Sequence, residues 1–381
     1  MNTRDEGQAG DETLAERLRA RVRAEGGVSF RDWMHAALYD AREGYYRRRD
    51  LARWGRAGDY RTGPERSRLF AATFARYFAS LHEELESPSP MILLEAGAGA
   101  GDFARGVLET LARDWPRVFD ALRYVVDEVS ADARSRAAEA LKPFAARVDF
   151  QSLAGTGADE PGATTSPHVI FANELLDAFP VHRVRWRGGR LFELFVTLDE
   201  RGGFAWDERE PSTPRLAAHF ERAGVALAEG QAAEVNLEAE EWVGMAAAAL
   251  APGGYLLLVD YGAEASELYG APHRQGGTLR GFSRHAFAED VLARPGEQDL
   301  TTTVNWTQAR AAGERGGLRT VLFERQDAFL LRAGFLEQLE RETRLAADEA
   351  EVARLRLEAR EMILPGGMGE HFQVLVQRKI S

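Results

Sequence analysis

The run Met91-Ile-Leu-Leu-Glu95-Ala-Gly97-Ala-Gly99-Ala-Gly101-Asp102 holds the residue types and spacing best suited to chemistry. Apolar residues lead to an acid, three glycines alternate with alanines, and a second acid opens an amphipathic stretch. This predicts a strand, a tight turn and a helix, the unit with which doubly wound α/β folds hold nucleotide-like cofactors. Glycine tolerates positive φ and lets a ligand approach the backbone closely. A dinucleotide would seat its pyrophosphate at the N-terminus of the following helix, on free N–H groups and the positive end of the dipole. Glu95 and Asp102 flank that position and would repel it. They suit a ligand with an ammonium group and a sulfonium centre, so S-adenosylmethionine is expected ahead of NAD. A tight turn without a ligand is the plain alternative.

Three further groups end apolar runs. Asp127-Glu128 closes one predicted strand, where an acid can accept hydrogen bonds from both ribose hydroxyls of an adenosine ligand. Asn173-Glu174-Leu-Leu-Asp177-Ala-Phe179-Pro180 follows another, and Asp260 closes a third. Aligned strand ends place Glu95, Glu128, Asn173 and Asp260 on one edge of a parallel sheet, where ligands of open α/β sheets bind. In amino-group methyltransferases the Asn173 position faces the transferring methyl. Asn173, Glu174 and Asp177 could orient a nucleophilic nitrogen and take its proton, and carboxylates match the donor fork of a guanidinium. The plainer reading is that Asp177 caps the next helix and Glu174 is solvated. His182, His273 and His285 are scattered without a supporting acid at ligand spacing, so no metal is expected. No Gly-x-Ser-x-Gly elbow supports a hydrolase.

These residues need elements to position them. Periodicity predicts helices over 13–24 (Leu14, Leu18 and Val22 inward), 30–39 with Ser29 as N-cap, and 67–84. Strands are expected at 91–95, 123–128, 148–150, 169–173 and 255–260, with helices over 102–113 and 131–141. A hairpin with arms 181–186 and 191–198 turns at Gly188-Gly189. Residues 199–236 read as an insertion, 263–300 as a long glycine-rich stretch, 326–345 and 347–363 as two helices, and 372–377 as a last strand. Trp33, Trp54, Phe70, Phe74 and Phe78 read as core. The expected organisation is a disordered tail (1–12), an N-terminal helical cap (13–87), a Rossmann-like core (88–262) with an insertion near 183–236, and a substrate-side segment (263–381).

Composition narrows the field. A chain of 381 residues with 45% hydrophobic and 28% charged residues can bury a full core. The net charge of −12 argues against nucleic acid and anionic membrane as partners. With no cysteine, disulfide and thiol chemistry are excluded. No apolar run approaches membrane-spanning length. Met1 to Gly10 is polar without an apolar signal core, and heavy Ala, Arg and Gly usage points to a GC-rich genome. A bacterial cytoplasmic location is therefore expected.

Taken together, the motifs resemble the MidA-like S-adenosylmethionine-dependent methyltransferases. The matching runs are Phe30-Arg-Asp-Trp-Met34, Leu38-Tyr39-Asp40, Gly44-Tyr45-Tyr46, Gly58-Asp59-Tyr60 with Thr62 and Pro64-Glu65, and the glycine run. They continue with Glu128-Val129-Ser130, Asn173 to Arg183, Asp260-Tyr261-Gly262, Gly277-Thr278-Leu279-Arg280, His285 and Pro295-Gly296-Glu297-Gln298-Asp299-Leu300-Thr301. Gly63 and Phe282-Ser283 depart from the family pattern, at positions that bear on the substrate. The resemblance implies a Rossmann-like class I methyltransferase sheet, with N-terminal helical and C-terminal additions forming a substrate cleft. It implies S-adenosyl-L-methionine held by Glu95, Gly97, Ala98, Gly99, Gly101, Glu128, Val129 and Asn173, and selects Glu128 over Asp127 for the ribose. Tyr45, Tyr46, Thr62, Pro64, Glu65, Arg280, His285 and Asp299 fall on the substrate side. The family includes the mitochondrial complex I assembly factor that methylates an arginine of a complex I subunit. An arginine-containing protein substrate, such as a respiratory-complex subunit, is accordingly implied. Methylation of a small molecule, or an assembly factor that binds the cofactor without turnover, are the other readings.

Overall fold

The computed structural model describes residues 12–48, 68–153, 166–283 and 286–380. The chain divides into two compact units, one gathering 1–53, 178–238 and 265–303, the other 54–177, 239–264 and 304–381. Each collects three separate stretches, where the sequence was read as four consecutive segments. Strand pairing between distant stretches is the reason.

The larger unit is built on a sheet with strand order 318–325, 372–379, 255–263, 169–173, 91–96, 122–127 and 148–150, with 304–305 pairing beside 255–263. The five strands from 255–263 to 148–150 run parallel. The strand Met91–Ala96 is buried at every position, as a strand covered on both faces must be. Between the sheet and the helices Arg68–Glu84 and Asp102–Asp114 lies an aromatic core. Phe103 stacks on Phe171 at 4.5 Å, and Phe74 meets Phe70, Phe171 and Phe329 at 4.8 to 5.1 Å. Phe70, Phe74 and Phe78 are core residues, as expected. Trp54 lies outside the described residues.

The C-terminal part differs from expectation. The stretch 326–345 is two helices, Gln326–Arg332 and Phe335–Leu345, broken at Gly334 with φ +92°. A helix, Trp306–Arg315, and a strand, Leu318–Arg325, precede them. That strand pairs antiparallel with Phe372–Lys379, which pairs antiparallel with Tyr255–Ala263.

In the smaller unit, the helices Leu14–Glu25 and Phe30–Tyr39 start where their caps stand. Thr13 and Glu16 form a reciprocal capping box, and Ser29 Oγ accepts the Asp32 N–H at 3.1 Å. The predicted hairpin, His182–Arg187 with Arg190–Leu198, sits in a five-stranded antiparallel sheet. Strands Phe204–Arg209 and Ala232–Val235 come from the stretch read as an insertion, which also holds the helix Arg215–Ala223. The glycine-rich 263–300 stretch carries the short helix Ala265–Gly270 and strands 280–283, 286–287 and 299–301. Among the described residues no helix is long and apolar enough to cross a membrane.

Candidate cofactor and acceptor site

The polar strand ends gather in the larger unit. Strand 91–96 lies between 122–127 and 169–173, so the glycine turn leaves the sheet flanked by both neighbouring strand ends. Gly97, Gly99 and Gly101 have φ of +72°, +55° and +84°, a left-handed path that only glycine follows at little cost. A Cβ at Gly101 would stand 3.0 Å from Ala137, so this glycine also lets helix 131–140 pack. Ala98 is buried, and its carbonyl accepts the Gly101 N–H at 3.0 Å.

Glu128 closes this corner from the next strand. Its Oε2 accepts the Gly99 N–H at 2.8 Å and its Oε1 the Ser130 N–H at 2.7 Å. Arg134 binds the Glu128 carbonyl, and Ser130 caps the following helix. The neighbouring Val129 is 54% exposed, an apolar residue at the surface of this corner. Asp127 turns elsewhere and accepts the Leu153 N–H at 2.9 Å, with burial pushing its carboxyl up.

Glu95 is buried and accepts the Tyr124 hydroxyl at 2.7 Å. Burial, with Glu128 and Asp102 adding to it, pushes its carboxyl up to about 8 against the pull of the Tyr124 bond. Among the described residues no Lys or Arg is paired with it. A buried acid without a cation is costly, and a ligand ammonium is a counter-charge that would suit it. Glu95, the glycine corner, Glu128 and exposed Val129 therefore fit the ammonium, backbone, ribose and base of an S-adenosyl compound.

The second corner follows strand 169–173. Asn173 pairs with Val259, and the Asn173 Nδ2 donates to Glu174 Oε1 at 3.1 Å. Glu174 has φ +51°, which for a non-glycine residue costs about 1–3 kcal/mol and persists only where the surroundings enforce it. The Glu174 N–H donates to the Val259 carbonyl at 2.9 Å. The Leu176 and Asp177 N–H groups both donate to Asp260 Oδ2, at 3.1 and 3.3 Å. Burial, with Asp177 and Glu174 close by, pushes the Asp260 carboxyl well above its usual range. The corners touch: a Cβ at Gly97 would meet Leu175 Cδ1 at 3.0 Å. Amide, acids and glycine turn thus share one sheet edge.

The substrate-side candidates of the smaller unit are placed differently. Tyr46 donates its hydroxyl to the buried Asp299 at 2.7 Å, and Tyr45 is wholly buried, edge-on to Tyr46. Arg280 is exposed. The preceding Thr278 is pinned by its N–H to Glu234 Oε2 at 2.6 Å. Thr62, Pro64, Glu65 and His285 lie outside the described residues. Two contributors escaped the sequence reading. Tyr124 braces Glu95 from within an aliphatic strand, and Asp260, placed on the edge, was given no role.

The match to known proteins agrees with this geometry. Residues 73–323 match the model of a family described as "Putative S-adenosyl-L-methionine-dependent methyltransferase". The protein arginine methyltransferase NDUFAF7 homolog, mitochondrial, of Drosophila melanogaster is 27% identical over 81% of this chain and 72% of its own length. The human protein arginine methyltransferase NDUFAF7, mitochondrial, is 25% identical over 93% and 81%. A crystal structure of a Burkholderia thailandensis protein bound to S-adenosyl-homocysteine is 29% identical, with a TM-score of 0.83 over 96% of this chain and 92% of that one. The chain belongs to this family of S-adenosyl-L-methionine-dependent methyltransferases.

Proposed function

We propose that the protein transfers a methyl group to a guanidinium nitrogen of an arginine in a protein substrate. The observation that carries this reading is the acid-rich corner at Asn173–Asp177, set against the glycine corner through the Gly97–Leu175 contact. The carboxyl groups of Glu174 and Asp177 stand at one strand edge with the Asn173 amide, close to Asp260. That arrangement suits a cationic acceptor and opposes an anionic one. The Drosophila and human relatives are named as protein arginine methyltransferases, which supports it.

S-adenosyl-L-methionine supplies an electrophilic methyl on a sulfonium centre. On the protein side, Glu95 would hold the ammonium end and Glu128 the ribose hydroxyls. Asn173 and Glu174 would orient the acceptor nitrogen in line with the methyl, and orientation of this kind supplies much of an enzyme's acceleration. As the new N–C bond forms and the S–C bond breaks, the nitrogen's proton passes to a carboxylate of the corner, Glu174 or Asp177. Tyr46, Asp299 and Arg280, with Tyr45 as internal support, are proposed for the substrate side, as are Thr62, Pro64, Glu65 and His285, which lie outside the described residues. A respiratory-complex subunit and a bacterial cytoplasmic setting belong to the same proposal.

The test is transfer from tritiated S-adenosyl-L-methionine into an extract of cells lacking this protein. The reading expects label in the protein fraction, recovered after hydrolysis as methylarginine. Label confined to small molecules would establish the small-molecule reading instead. Cofactor binding with no label anywhere would point to a non-catalytic binding role.

A further inference from the structure

Asp260 is 1% exposed and ends the apolar run Tyr255-Leu-Leu-Leu-Val259. Its carboxylate meets three backbone donors: Leu176 and Asp177 N–H on Oδ2, at 3.1 and 3.3 Å, and Tyr261 N–H on Oδ1 at 2.9 Å. The first two belong to the turn that begins at Glu174, whose left-handed backbone needs enforcement from outside the turn. A further tie to the same strand runs from the Glu174 N–H to the Val259 carbonyl.

The residue type is informative. Asp260 stands beside Asp177 and Glu174, so a third negative charge here is unfavourable. An asparagine would avoid the repulsion, but its amide has one acceptor oxygen and two donors, and three N–H groups converge on this side chain. Only a carboxylate offers an acceptor on both sides. A serine has a single oxygen and a shorter reach. A side chain with two acceptor oxygens is kept where the hydrogen-bond demand exceeds what asparagine or serine meets.

We propose that Asp260 is the positioning residue of the acceptor corner: it locks the 174–177 turn against strand 255–263 and so fixes Asn173 and Glu174 beside the glycine corner. It acts through the backbone and touches neither acceptor nor cofactor. The inference rests on the acceptor role given to Asn173 and Glu174 in the proposed function. The lock itself is read independently of that role.

The experiment uses the full chain. Amide hydrogen exchange of the wild type without cofactor should show the Leu176 and Asp177 amides already protected. If both exchange at the rate of open loops, the proposal is overturned before any variant is made. In Asp260→Asn these two amides should exchange at least tenfold faster, and faster still in Asp260→Ala, with strand 91–96 unchanged. S-adenosyl-homocysteine affinity by calorimetry should stay within threefold in Asp260→Asn. Its kcat for label transfer into extract should fall at least thirtyfold while KM for S-adenosyl-L-methionine holds. Unchanged exchange in both variants, or equal loss of affinity and transfer, would overturn the proposal. If the wild type transfers no label, the acceptor reading fails while the exchange result still decides the lock.

Discussion

The two corners of the sheet edge solve the same problem with different materials. Both turn away from a parallel strand, and both are closed by a carboxylate contributed by the neighbouring strand or the residue after it: Glu128 on Gly99, Asp260 on Leu176 and Asp177. In the cofactor corner every left-handed position is a glycine. In the acceptor corner the left-handed position is Glu174. The first turn is nearly free of strain, because glycine follows the left-handed path at little cost. The second carries strain in order to place a carboxylate-bearing residue where a glycine would be easier. The difference teaches that one corner turns on glycines alone, while the other accepts a backbone cost to hold a side chain in place.

Substitutions should separate the two. The largest effect is expected from Gly99→Val, which puts a β-branched residue at φ +55° and displaces the N–H bound by Glu128. Its affinity for S-adenosyl-homocysteine, read by calorimetry, should fall by more than about a hundredfold, with far-UV circular dichroism unchanged. Next, Glu174→Gln removes a charge from the acceptor corner without altering its shape. Transfer into protein should drop by about 10²-fold, the range of a lost general base, and affinity for S-adenosyl-homocysteine should hold.

A smaller, pH-dependent effect is expected at Glu95. Its carboxyl is held at about 8 in the fold and titrates near 4.5 when unfolded. The unfolded chain therefore loses this proton first, and stability declines as pH rises between those values, then levels off. One pKa unit corresponds to about 1.4 kcal/mol, so the decline is on the order of a few kcal/mol. Urea denaturation of Glu95→Gln should show a flatter profile across that window. In the wild type, cofactor binding below pH 8 should release a proton, visible as buffer-dependent heats. The smallest effect on stability is expected from Glu174→Gly, which relieves the left-handed strain. It should raise stability by about 1 kcal/mol in the same denaturation assay while abolishing transfer.

The cofactor corner was legible because its information is local. A buried run, alternating glycines and an acid lie within a dozen residues, and Glu128 follows at the end of the next strand. The acceptor corner was legible in its residue types but not in its support. The partner of Leu176 and Asp177 is Asp260, and the pairing of 255–263 with 169–173 that brings it there is set by the whole sheet. The same cause hid Leu318–Arg325, whose mixed burial gives no clean alternation and whose pairing depends on Phe372–Lys379. It hid the sheet of the smaller unit, where Val28 pairs with Val196. The break at Gly334 did have a signal, a glycine inside a helical pattern, which periodicity outweighed. Tyr45 and Tyr46 read alike in sequence, yet one is core and the other presents its hydroxyl to Asp299.

The division of labour between the corners is tested most directly by measuring S-adenosyl-homocysteine affinity and methyl transfer on the same preparation of Glu174→Gln. The account predicts affinity within threefold of the wild type and transfer reduced about a hundredfold. Affinity and transfer falling together, or neither changing, would contradict it.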